Sequence, residues 1–196
     1  MSLRVSGSPS VVAGPRLKPA IVALALSAYV LLAEWARTLV LTNTRSIAPV
    51  LILGGAALAV AAAGWTLQAL GLGSSRFGFR VLGGLALAAV LLLPAAVRAG
   101  SAPVLPAGLA TAAIAISIGE ELAFRGALYA ALDRFGGVPL AILGSTFIWT
   151  AAHALSHPPA FLGAVAAAGL LLALWRWACK DLVGPIIAHV IADLAL

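Results

Sequence analysis

Apolar residues run along this chain in long, nearly unbroken stretches, with Gly, Pro or Arg punctuating the gaps. The stretches lie near 19–41, 47–72, 79–97, 104–135, 138–155, 160–178 and 183–196. Runs of this length predict helices rather than strands, and roughly 20 consecutive apolar residues are what one bilayer crossing needs. The pattern therefore predicts an all-α fold, a polytopic transmembrane bundle of about seven helices, or six to eight if the punctuation splits or joins a run. The last run is short for a crossing, so it is expected to be partial or to meet the membrane at an angle.

Residues 1–18 break the pattern. They are rich in Ser, Gly and Pro, carry Arg4, Arg16 and Lys18, and predict a disordered cytoplasmic tail ahead of a single transmembrane domain over 19–196. The stretch Ala20 to Ala33 has the apolarity of a signal-peptide core, but no small-residue cleavage site stands out and apolar sequence resumes after Arg37, so it reads as the first crossing.

Composition narrows the class. Of 196 residues, 63% are apolar and 9% charged, whereas a soluble domain carries roughly 25% charge. A compact soluble body of this length has too little interior for that apolar surface and too few charges to cover it, which excludes an ordinary soluble globule. The single Cys179 excludes an internal disulfide and a CxxC motif, so any metal would be held by His and carboxylates. The net charge of +6 comes from basic residues scattered singly, which argues against a nucleic-acid partner. With the amino terminus inside, Arg4, Arg16, Lys18, Arg76, Arg80, Arg134, Arg176 and Lys180 share one side, against Arg37, Arg45 and Arg98 on the other. The positive-inside rule then predicts a cytoplasmic amino terminus, and the apolar runs with their Ala- and Gly-rich, bacterial-looking composition predict a multi-pass protein of a bacterial inner membrane.

Ionisable residues inside apolar runs are the default place to look for function. Glu34 and Arg37, three apart near the end of the first run, read as a pair snorkelling to the interface, and Asp133 and Arg134 as interfacial anchors. Glu120, Glu121 and Arg125 are different, because they lie in the middle of the run 104–135. Helical spacing puts Glu121 and Arg125 nearly in line as a charge-assisted pair, and turns Glu120 about 100° away, free for other work. The histidines follow in the last quarter of the chain. His153 stands one turn after Trp149, His189 one turn before Asp193, and His157 precedes Pro158 and Pro159 in a turn or loop. Counted along helices from the turn near 135–139, Glu120 and His153 reach similar depths, roughly 21 and 23 Å. His189 reaches that level only if the segment between Trp177 and Pro185 re-enters the membrane.

An unpaired Glu with two His on separate helices suits activation of water, the carboxylate taking the proton while the imidazoles orient the water or stabilise an oxyanion. Glu120, His153 and His189 equally match a His₂Glu Zn²⁺ site with an open position, and the sequence leaves the metal and metal-free mechanisms both open. Asp193 fits as an acceptor fixing the His189 tautomer or as a polar group facing substrate.

The Glu-Glu-x-x-x-Arg of 120–125, the Trp-x-x-x-His of 149–153 and the His-x-x-x-Asp of 189–193, in that order, resemble the three motifs of the CAAX-protease and bacteriocin-processing (CPBP, or Abi) family of intramembrane proteases. The resemblance covers about the last 80 residues. It implies a multi-helix membrane endopeptidase acting on a hydrophobic or lipid-modified peptide or protein, with Glu120 as the base, Glu121 and Arg125 as its supports, His153 and His189 as catalytic groups or metal ligands, and Asp193 as an oxyanion or orienting group. Two positions depart from the family pattern. Trp149 stands where Phe is usual, and Asp193 where Asn is usual; an aspartate donates no hydrogen bond unless protonated, which favours an orienting or metal role. The competing classes are a catalytically silent scaffold or bacteriocin-immunity protein and a proton-coupled transporter.

Overall fold

The computed structural model describes residues 17–73, 76–96 and 105–195, and these form helices with no strand among the described residues. Most of the expected tail, and Arg98, lie outside the described residues. Helix α1 spans Leu17–Leu41 and α2 Ile47–Ala59, continued by a 3₁₀ turn over Val60–Ala62. A short α3 follows at Leu67–Leu70, then α4 at Phe77–Ala96 and α5 at Ala107–Glu121. A π-helical segment, Leu122–Leu128, joins α5 to α6 at Tyr129–Ala152, and α7 (Pro159–Cys179) and α8 (Val183–Ala195) complete the chain.

The run 47–72 is therefore not one helix. Gly64 adopts a left-handed φ of 79°, Thr66 caps α3 by accepting from the Ala69 N–H, and Gly71 at φ 82° ends it. The turn expected near 135–139 is present. Gly137, at φ 80°, breaks α6 where a residue with a Cβ would be strained, and Pro139 opens the returning arm.

Three helical stretches, Lys18–Leu41, Ala107–Leu155 and Pro159–Cys179, are long and apolar enough to cross a membrane, and three shorter apolar helices accompany them. The middle stretch covers 49 residues and folds back at Gly137. Large apolar side chains such as Leu24, Leu82, Leu143 and Phe147 cover the outside of the bundle, as lipid requires.

Small residues set the closest approaches. Gly55 of α2 and Gly119 of α5 bring the two backbones together so tightly that a Cβ on either would collide with main-chain atoms of the other helix. Helix α8 packs against α4 and α5, and α6 lies between α1 and α7. The connection from α7 to α8 sinks into the bundle: Asp181 and Leu182 are buried, Asp181 accepts from the Val183 and Gly184 N–H groups, and the Leu182 N–H donates to Gly71 O. From that inward dip α8 carries His189 to Glu121.

Candidate active site

The site forms where α5, α6 and α8 meet, with the π-helical segment directly behind Glu120 and Glu121. A π turn carries one extra residue and recurs at functional sites. Here it is braced from α7, where Arg176 donates through Nε to Arg125 O (3.2 Å) and through Nη2 to Ala69 O (2.7 Å).

Glu121 and Arg125 form the expected pair. Arg125 Nη1 donates to Glu121 Oε1 at 2.8 Å, with both side chains fully buried. The same oxygen lies 2.9 Å from His189 Nδ1, so Glu121 is shared between the guanidinium and the imidazole. That placement leaves His189 Nε2 toward the cavity, 3.5 Å from Asp193 Oδ2. Asp193 Oδ2 also accepts from Ser117 Oγ at 2.7 Å.

Glu120 turns away from the pair as helical geometry requires, but it is not free. Its Oε2 accepts from Trp149 Nε1 (3.0 Å) and lies 3.8 Å from His153 Nε2, while Oε1 faces Arg37 Nη2 at 3.6 Å. His153 Nδ1 lies 2.8 Å from Trp149 O. A carbonyl only accepts, so Nδ1 carries a proton and Nε2 is the nitrogen left facing Glu120.

Trp149 ties the pieces together. Its ring meets His153 edge-on with centroids 4.7 Å apart, the edge of His189 at 5.8 Å, and the Arg125 guanidinium at 4.1 Å. Gly169 of α7 makes the room, since a Cβ there would sit 2.7 Å from the indole.

Glu120, His153, His189 and Asp193 line one cavity of about 530 Å³, together with Arg37 and Trp149 and a wall that is otherwise mostly apolar. Glu121 and Arg125 lie behind it. His157 keeps its expected loop position between α6 and α7 and also lines the cavity, its ring stacked on Phe161 with centroids 5.2 Å apart. Partial burial, with His153 beside it, pushes the His157 imidazole below the usual histidine range.

The one marked relocation is Glu34 and Arg37. Expected at the interface, they turn inward: Glu34 is buried in the bundle, the partly buried Arg37 is hydrogen-bonded to it, and Arg37 faces Glu120. Three-residue spacing near the end of an apolar run is compatible with either place. What decides it is the packing of α1 against α2 and α6, which the run alone does not encode.

Residues 102–195 match the family model described as Type II CAAX prenyl endopeptidase Rce1-like. Over that segment, just under half of its length, the chain is similar to the CAAX proteases. No curated protein and no solved structure matches the chain. The matched segment contains Glu120, Glu121, Arg125, His153, His189 and Asp193, whereas Glu34 and Arg37 fall before it. Within it, the donors for a His₂Glu zinc centre are not set around a common point: Glu120 is engaged by Trp149 and faces Arg37, and His189 Nδ1 is turned to Glu121. Among the described residues no group of three His, Cys, Asp or Glu side chains is arranged to hold a metal ion.

Proposed function

We propose that this protein is an intramembrane endopeptidase that hydrolyses a peptide bond in a hydrophobic or lipid-modified peptide or protein through water activated by Glu120. The observation that carries the reading is the convergence of Glu120, His153, His189 and Asp193, from α5, the end of α6, and α8, on one largely apolar cavity. The match of residues 102–195 to a CAAX prenyl endopeptidase family model supports the reaction class.

The separation of Glu120 Oε2 and His153 Nε2, 3.8 Å, is too long for a hydrogen bond and suits a single water touching both. Glu120 takes the proton as the water oxygen attacks the scissile carbonyl, and returns it to the leaving amine. His153, its tautomer set by Trp149 O, accepts from the water and orients it. His189, its Nδ1–H donated to Glu121, stabilises the charge developing on the carbonyl oxygen as the imidazolium, whose Nε2–H is the donor that faces the cavity. Asp193, engaged by Ser117, orients His189.

Three of the basic residues expected on the cytoplasmic side come to one end of the bundle, around residues 65–73. Arg134 stacks on Trp65 at 4.4 Å, Arg176 reaches Ala69 O, and Arg80 bonds to Gly73 O. This supports placing that end, and with it the amino terminus, in the cytoplasm.

The test is cleavage of a membrane-associated peptide by purified protein in liposomes. Glu120→Gln and His189→Ala are expected to abolish cleavage while retaining the wild-type melting profile, and full activity in either variant would refute the reading. Metal analysis and a chelator arm accompany it: one equivalent of zinc with chelator-sensitive cleavage would reassign Glu120, His153 and His189 as ligands.

A further inference from the structure

We infer that Arg37 is a positioning residue for Glu120, so that the first two helices, outside the matched segment, complete the active site. The inference rests on the peptidase reading above.

Glu120 is hydrogen-bonded at one oxygen and faced by a cation at the other, from different helices. Trp149 donates to Oε2 at 3.0 Å, and the Arg37 guanidinium stands 3.6 Å from Oε1. Arg125 is committed to Glu121, which leaves Arg37 as the guanidinium facing Glu120 among the described residues. A buried carboxylate held on one side only swings about its last torsion, and misplacement of a reacting group by an ångström is enough to lower a rate about 100-fold. Charge and position therefore come to Oε1 from α1.

Two further features show a built arrangement. Glu34 is only 1% exposed and bonds to Arg37 from one helical turn away, steering the guanidinium along the face toward Glu120. On the far side, α2 presents Gly54 to the arginine stem, where a Cβ would lie 2.5 Å from Arg37 Cδ and 3.1 Å from Cγ. The glycine is a notch that lets the stem pass between α1 and α2.

Stability alone does not account for the pair. Glu34 Oε1 and Arg37 Nε are buried without a hydrogen-bond partner, so the ion pair is incompletely satisfied, and a buried ion pair of that kind stabilises poorly against an apolar replacement. Its position at the cavity wall, against the proposed base, is what the arrangement provides.

The experiment measures kcat and KM for full-length wild type, Arg37→Gln, Arg37→Lys, Gly54→Ala and an exposed-loop control, Arg45→Gln, on one membrane-peptide substrate in liposomes. Arg37→Gln is expected to lower kcat about 10- to 100-fold with KM within about twofold. Arg37→Lys should recover part of that loss, because an ammonium keeps the charge but not the planar fork. Gly54→Ala keeps every charge and displaces only the stem, so it should lower kcat too, and it carries the test if Arg37→Gln fails to fold. An active wild type with unchanged kcat in both Arg37→Gln and Gly54→Ala overturns this inference alone, as does a rise in KM at constant kcat, which would make Arg37 a substrate contact. An inactive wild type overturns the peptidase reading and this inference with it.

Discussion

Trp149 serves the site through two separable properties, a ring and an N–H. The ring packs between His153, His189 and Arg125 over Gly169, and the N–H donates to Glu120. Trp149→Phe keeps most of the packing and deletes the donor. A hydrogen bond to a charged group contributes about 1.5–3 kcal/mol, so kcat is expected to fall about tenfold or more, while the melting temperature measured by tryptophan-independent circular dichroism stays near wild type. Unchanged kcat would mean that the N–H does not hold the base. At this scale, what could be read from the chain was whatever lay within one helical turn: Glu121 with Arg125, Trp149 with His153, and His189 with Asp193. Contacts between helices could not be read. The Trp149 bond to Glu120 spans 29 residues, Ser117 meets Asp193 across 76, and Glu121 meets His189 across 68. Ser117 gave no sign beyond being a hydroxyl in an apolar run.

Among the elements, the contact of α2 with α5 positions the carboxylates most directly, because Gly119 immediately precedes Glu120. The atoms a Gly119 Cβ would strike belong to the Gly55 backbone and cannot rotate aside as a flexible side chain would. Gly119→Ala is therefore expected to push the helices apart and destabilise the protein by about 1–3 kcal/mol, lowering the midpoint of thermal unfolding in detergent. Gly108→Ala is the control, since a Cβ there meets nothing and alanine is the better helix former. Equal midpoints for the two variants would show that α2 yields. The apolar runs foretold most helices and the reversal near Gly137, since length and glycine carry that information locally. They missed the break at Gly64 and the π segment. Gly64 sits in a run whose apolarity never drops, and Leu122–Leu128 has the composition of ordinary helix, its widening being visible only where Arg176 meets the Arg125 carbonyl.

For the molecule as a whole, the boundary of the recognisable domain and the boundary of the working unit do not coincide. The family match begins at residue 102, yet α5 is backed by α2, Trp35 of α1 donates to Ala151 O at 3.1 Å beside His153, and Arg37 faces Glu120. Hydropathy alone made the first half of the chain look like generic crossings, because its one polar pair reads as an interfacial anchor until the helices are packed. If α1 and α2 were only membrane ballast, residues 102–196 would retain the site. The packing argues otherwise: without α2, the glycine face of α5 loses the backbone it was shaped against, and without α1, buried Glu120 loses its facing cation. Expressed alone in membranes, residues 102–196 are therefore expected to show no peptide cleavage and to be degraded readily. Co-expression with residues 1–101 should restore both cleavage and protease resistance, the two pieces co-purifying. Activity in the isolated second half at the level of the full chain would place the entire reaction within the matched domain and reduce the first helices to anchorage.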